Sequence, residues 1–195
     1  MKHLPKTWQI KKLGKDDICT IVMGQSPPSE TYNKEKIGLP FYQGKKDFGH
    51  LYPIPSVWCS KPNKIAEPND VLISVRAPIG PTNLCPEKSA IGRGLAALRA
   101  NSKKLIFKFL LFYLRSIENT WIRPGTTFSA IKRSDLENLE IPLPSLHIQR
   151  RIAKKIDELL EEIDKAKQLQ SETQKELDEL KKSILDKAFK GELYS

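Results

Sequence analysis

This chain is short of cysteine, of histidine and of long apolar runs, and each shortage removes a class of function. Its 195 residues hold three cysteines, Cys19, Cys59 and Cys85, odd in number, widely spaced and without a Cys-x-x-Cys pair. A disulfide framework or a structural zinc site is therefore not expected, and free buried thiols in a reducing compartment fit better. The three histidines, His3, His50 and His147, are scattered and form no ligand spacing. No P-loop occurs, and no local motif places a Ser/His/Asp set. The longest apolar run, Leu105 to Leu114, is interrupted by Lys108 and is about half a membrane span. The first residues, MKHLPKTWQIKKLGKDD, lack the apolar centre of a signal peptide. A cytoplasmic location with no membrane contact is the expectation. The paired carboxylates Asp16-Asp17 sit in a lysine-rich turn, and Asp47 and Asp70 each stand alone in sequence. No metal-binding carboxylate cluster is visible, so a non-catalytic chain is expected, with no cofactor or metal of its own.

Glycine and proline are also absent from one stretch, Ser145 to Phe189. Most of its residues are good helix formers. Ile152, Ile156, Leu159, Ile163, Ala166, Gln170, Thr173, Leu177, Leu180 and Ile184 follow one another at alternating steps of four and three. That alternation over more than four heptads is a coiled-coil seam. The helix spans about 65 Å. One helix cannot bury such a seam alone, so a partner helix is expected. The polar step at Gln170 and Thr173 costs stability and fixes register.

Charge divides the chain in the same place. Residues 1–144 carry 22 Lys and Arg against 12 Asp and Glu, and residues 145–195 carry 11 of each. The formal net charge of +10 thus lies entirely on the first part. Three segments follow: a basic domain over 1–144, a coiled-coil helix over 145–190, and a tail over 191–195. A basic domain joined to a neutral coiled coil points to an anionic partner for the domain and a protein partner for the helix.

The domain reads as β-rich with helices. Strands are expected at Ile18 to Met23, Leu39 to Gln43, Asp70 to Arg76, Leu95 to Leu98 and Leu139 to Leu143, with Trp8 to Leu13 a short strand or turn and Thr82 to Ile91 a further strand or a loop. Residues 51–69 carry four prolines and read as extended loop. Lys103 to Asn119 reads as a buried helix. Trp121 to Thr127 reads as a loop. Ser134 and Glu137 have the spacing of a capping box for a short helix. Ser145 caps the long helix, and Gly191 ends it. Gly92-Arg93-Gly94 reads as a tight backbone approach, not a phosphate cradle.

Lys45, Lys46, Arg76, Arg93, Arg123, Lys132 and Arg133 fall in or beside the expected loops. Arginine reads guanine with two hydrogen bonds, and Gln25 or Gln43 suits adenine. Lysine and arginine also hold phosphate without reading sequence. Lys45, Lys46, Arg76 and Arg93 are the better base readers; Lys132 and Arg133, flanking a helix start, suit phosphate.

Several segments together resemble one half of a specificity subunit of type I restriction-modification systems. They are Gly24-Gln25-Ser26-Pro27, Pro40-Phe41-Tyr42-Gln43-Gly44, Asp70 through Gly80, Ile91-Gly92-Arg93-Gly94 and Gly125-Thr126-Thr127. Then come Asp135-Leu136, Ile141-Pro142-Leu143-Pro144, Gln149 with Ile152, and Ala188-Phe189-Lys190-Gly191-Glu192-Leu193. Each is modest alone, but their order from Trp8 to Leu193 is specific. The resemblance implies an α+β fold: a β-rich, mixed target-recognition domain followed by one long C-terminal coiled-coil helix that pairs antiparallel with a second. It implies a non-catalytic subunit that selects bipartite double-stranded DNA. It further implies partnership with methyltransferase (M) subunits, which bind S-adenosylmethionine, and a restriction (R) subunit, which uses ATP and Mg. A full subunit has two recognition domains and two helices; this chain has one of each. An antiparallel homodimer or a different half-subunit would restore the set. The rival reading is a coiled-coil scaffold whose basic domain binds an acidic protein.

Overall fold

The computed structural model describes residues 4–15, 17–121 and 130–193. The chain divides into two compact units, Met1–Ala153 and Lys154–Ser195. In chain order the strands are β1 (Gln9–Lys12), β2 (Cys19–Met23), β3 (Tyr32–Asn33), β4 (Leu39–Tyr42), β5 (Trp58–Cys59), β6 (Ile65–Ala66), β7 (Val71–Ser74), β8 (Thr82–Leu84), β9 (Ser89–Ile91), β10 (Leu95–Ala100) and β11 (Glu140–Leu143). The helices are α1 (Phe107–Ser116), α2 (Arg133–Glu137) and α3 (Leu146–Phe189). The architecture is α+β, with a mixed, β-rich first unit and a long C-terminal helix.

Three sheets build the first unit. One has the order β2-β10-β7-β8 and is antiparallel throughout. The second has the order β3-β5-β4-β9-β6, and its β4–β9 pair is parallel. The third is the β1–β11 pair, which brings the start of the chain beside the segment that enters α3. The strongest strand signal, the apolar run after Asp70, becomes β7, whose four residues are all buried. Its neighbour β10 opens with Leu95, Ala96, Ala97 and Leu98, all inaccessible to solvent. The core between the larger sheets gathers Tyr42, Leu72, Cys85, Ile91 and Leu95. Burial pushes the Cys85 thiol up to about 11, so it stays neutral and unreactive near pH 7. The three cysteines are free.

Several local expectations need correction. The buried helix runs over Phe107–Ser116 only, because the four residues before it are spent on a turn in which Lys104 and Leu105 N–H groups bond to the Asn101 carbonyl. Its Phe109, Leu110, Leu111, Phe112 and Leu114 are buried, as its nearly continuous apolar sequence requires. The proline-rich stretch 51–69 contains β5 and β6, each two residues long and short enough to fit between prolines. The short helix α2 starts earlier than the Ser134–Glu137 spacing suggests: Lys132 is its N-cap, and Asp135 Oδ2 accepts the Lys132 N–H at 2.7 Å. Glu137 instead meets the Arg133 guanidinium one turn away at 3.2 Å. Nor do Asp47 and Asp70 stand alone. Asp70 is 1% exposed and takes two hydrogen bonds from Arg99, Nε to Oδ1 at 3.0 Å and Nη2 to Oδ2 at 2.9 Å. A buried carboxylate is tolerated with this forked partner.

The start of α3 is locked into the first unit by Gln149, which is wholly buried. Gln149 Oε1 accepts the Ile106 N–H at 2.8 Å, and its Nε2 donates to the Lys104 and Pro144 carbonyls at 3.0 and 2.9 Å. Ser145 occupies the N-cap position of α3, its carbonyl accepting the Gln149 N–H. The first unit therefore continues about two turns into the helix, to the buried Ala153.

The second unit is helix with a defined stop. Gly191 has φ +77°, the Glu192 N–H bonds to the Lys187 carbonyl, and the Gly191 N–H to the Ala188 carbonyl. That bond pair is a Schellman cap, for which glycine is favoured. The seam side chains Leu159, Ile163, Leu177, Leu180 and Ile184 remain 44–57% exposed.

Replacing Gln149 by leucine removes all three side-chain bonds and takes away the partner of the partly buried Ile106 N–H. A loss of about 3 kcal/mol is expected in urea unfolding. A loss under about 1 kcal/mol would show that the bonds are replaced by water.

Candidate nucleic-acid interface

The site grows out of three loops that meet where β4, β7 and β10 end or begin. After β4, Gln43 and Gly44 lead into a 3-10 turn, Lys45–Asp47. After β7, Ser74 leads to Arg76, which forms an isolated bridge with Ala130. Before β10 comes Gly92-Arg93-Gly94. Hydrogen bonds lace these loops together: Gly92 N–H to the Tyr42 carbonyl at 2.8 Å, Val75 N–H to the Gly94 carbonyl at 2.9 Å, and Gly24 N–H to the Leu95 carbonyl at 2.9 Å. A side chain at Gly94 would collide with the Gln43 carbonyl. The tight approach expected of Gly-Arg-Gly is present, and it makes the floor of the site backbone.

Gln43, Lys45, Arg76 and Arg93, with Ser26 and Gly94, line one cleft of about 230 Å³. Four residues separated by up to 50 positions in sequence thus share one opening. Lys45, Arg76 and Arg93 are exposed, and Gln43 is partly so. Their backbones are held, so the charges are displayed from a fixed frame. Ser26 Oγ accepts the Arg93 N–H at 3.3 Å, and Ser74 Oγ donates to the Arg76 carbonyl at 3.0 Å. Asp47 is 8% exposed, and its Oδ2 accepts the Gln43 N–H at 2.6 Å and the Gly44 N–H at 3.3 Å. The carboxylate therefore shapes the loop and does not face the cleft as a metal ligand. Among the described residues no group of three His, Cys, Asp or Glu side chains could hold a metal ion.

The remaining candidates lie outside this opening. Gln25 is exposed next to Ser26, its N–H anchored on the Ile91 carbonyl at 3.1 Å. Lys46 is exposed on the same turn as Lys45. Lys132 is exposed and follows Ile131, whose N–H bonds to the Val75 carbonyl at 2.8 Å, so it flanks the Arg76 side. Arg133 is engaged within the fold: Nη2 donates to the Ile21 carbonyl at 2.8 Å and Nη1 to Glu137 at 3.2 Å. Arg123 lies outside the described residues. Sequence reasoning missed the supporting residues Asp47, Ser26 and Ser74. The Gly44-x-x-Asp47 spacing is the signal for the first, since an aspartate three residues on can bond back to a turn amide. The serines carry no such signal.

A polar, cation-rimmed cleft on a β-rich domain, with a long helix bearing an unburied heptad seam, defines a recognition domain of the coiled-coil-linked kind. The chain belongs to the family described as the type I restriction modification DNA specificity domain, which matches residues 5–174. It is 40% identical over 193 residues to the protein of Methanocaldococcus jannaschii named as type I restriction enzyme MjaX specificity subunit, covering 98% of this chain and 44% of that one. It is also similar to the HsdS subunit of Thermoanaerobacter tengcongensis, with 50% identity and a TM-score of 0.79 over 97% of this chain and 46% of that one. A chain solved in work on complex assembly and conformational transition of the type I R-M system matches with 50% identity and a TM-score of 0.89, over 97% of this chain and 47% of that one. The chain spans less than half the length of each.

Gly94→Ala places a methyl against the Gln43 carbonyl and is expected to cost about 1–3 kcal/mol in chemical unfolding. Gly44→Ala, whose added carbon meets nothing within 4 Å and whose backbone is extended at φ 178°, is expected to be neutral. Equal stability of the two variants would refute the close approach.

Proposed function

We propose that this chain recognises one half of a bipartite double-stranded DNA target and sets where a type I restriction-modification complex acts. The observation that carries the reading is the gathering of Gln43, Lys45, Arg76 and Arg93 in one cleft, in a chain of this family. Arginine offers a fork for guanine and glutamine a donor–acceptor pair for adenine. Lys46 and Lys132 stand beside the cleft residues and suit phosphate. Gln25 extends the candidate surface, and Arg133, which bonds the Ile21 carbonyl and Glu137 yet keeps its side chain 55% exposed, stays a phosphate candidate.

The chain itself is non-catalytic in this reading. M subunits would bring S-adenosylmethionine, and an R subunit would bring ATP and Mg. The seam would pair antiparallel with a second helix, from another copy or from a different half-subunit, and supply the second recognition domain. A cytoplasmic location is part of this reading. No described helix is long and apolar enough to cross a membrane. The scaffold reading predicts salt-sensitive binding without sequence preference, whereas DNA recognition requires both.

Arg76→Ala or Arg93→Ala should lower affinity by about 1–3 kcal/mol and relax specificity at one base pair, whereas Lys46→Ala or Lys132→Ala should weaken all sequences alike. Binding selections on randomised duplexes, with methylated-site mapping of the reconstituted complex, measure this. Unchanged selection profiles in both arginine variants would sink the assignment of the cleft.

For the seam, Ile156→Asp combined with Ile163→Asp should abolish pairing while the recognition unit stays folded. Sedimentation of the wild type as a monomer at micromolar concentration would exclude the homodimer and leave a different half as the partner.

A further inference from the structure

Two large apolar side chains on the recognition unit, Tyr52 and Ile54, stand in water, 47% and 70% exposed. Single exposed apolar residues are ordinary. These two differ because the segment that carries them is fastened from several sides. Asn83 Nδ2 donates to the Gly49 carbonyl at 3.0 Å, and Arg115 Nη2 to the His50 carbonyl at 3.0 Å. The Leu84 N–H bonds to the Leu51 carbonyl at 2.8 Å, and the Gly49 N–H to the Tyr52 carbonyl at 3.1 Å. Phe48 and Pro53 form a bridge across the turn. Finally, the Ile54 N–H bonds to the Asp47 carbonyl at 2.8 Å. Asp47 thus holds Ile54 with its carbonyl and Gln43, inside the cleft, with its carboxylate. Lys45 and Lys46 lie between them in the chain.

The result is a rigid apolar tip set beside a cationic cleft. A fixed display is what a site needs when its contacts must be positioned to within a fraction of an ångström. Lysines beside it suit phosphates. The apolar group that a base edge offers in the major groove is the C5 methyl of thymine, which takes apolar contacts from protein side chains. We propose that Ile54, with Tyr52 close by in the same turn, contacts a thymine methyl at the rim of the recognition cleft and so adds a specificity determinant to the polar readers. The inference rests on the DNA reading above.

The experiment uses the full chain in its complex and the target duplex found by selection. Each thymine of the half-site is replaced in turn by deoxyuridine, which removes the methyl and keeps the base-pairing edge. At one thymine, wild-type affinity should fall about fourfold, the worth of one buried methyl-sized group. Ile54→Ala should bind the thymine target about fourfold more weakly and be indifferent to deoxyuridine at that position. Ile54→Val should keep part of the discrimination. Unfolding curves of the variants should match the wild type, since the side chain is mostly in water. If Ile54→Ala keeps the wild-type ratio between thymine and deoxyuridine at every position, the inference fails while DNA recognition stands. Loss of assembly with a protein partner, with DNA discrimination intact, also overturns it and makes the tip a protein contact. Absence of any sequence preference in the wild type removes the DNA reading and this inference together.

Discussion

The recognition unit depends on one strand being hydrogen-bonded along both edges while its entry is squeezed between loops. Strand β10 pairs with β2 on one side and β7 on the other, and Leu95 through Leu98 see no solvent. Its small residues, Ala96 and Ala97, let the neighbouring layers close over it. At its start, Gly92 and Gly94 bring the β4 and β7 loops within backbone contact, so Arg93 and Arg76 emerge from fixed positions. At its end, Arg99 closes on the buried Asp70. Arg93 and Arg99 stand six positions apart along this strand, about 20 Å when extended. One lines the cleft and the other, itself partly exposed, pairs the buried Asp70, and their sequence context does not advertise the difference.

How much of this was legible in the sequence follows from the range of the interactions involved. The long helix and its stop were legible because heptad spacing and a C-terminal glycine are local signals, and the capped end at Gly191 forms as they require. Strand β7 was legible because the mostly apolar run Val71 to Val75, bounded by Asp70 and Arg76, has few other fates. The short strands β5 and β6 were not, since two residues carry no periodicity and exist only through their partners, β3 and β4 for the first and β9 for the second. Asp70 looked isolated because Arg99 is 29 positions away. The cleft was half legible: polar and charged residues in loops named Gln43, Lys45, Arg76 and Arg93, but only the sheet order shows that these loops meet, while Arg133 bonds the Ile21 carbonyl on β2.

Electrostatics divides the molecule as sharply as topology does. The positive excess sits on 1–144, and the helix beyond balances Lys and Arg against Asp and Glu. Along α3 the opposite charges find one another within a turn or so, as in Lys154–Glu158 and Lys155–Glu158. Such exposed pairs add little stability. Their effect is to leave the helix without a net field, so the seam, and not charge, dictates what lies against it.

The helix α3 runs 44 residues without a glycine, a proline or a break. A continuous helix with a heptad seam has a discrete ruler built into it. Whole heptads lengthen the seam without changing its register, whereas insertions of three or four residues keep it in contact by locally overwinding or unwinding the coil. Each heptad is about 10 Å, the rise of roughly 3 base pairs of duplex DNA. For a protein that spaces two reading heads with paired helices of this kind, target spacing is therefore inherited in steps. Length along such a seam changes by turns of helix, about 5 Å at a time, and not by single residues.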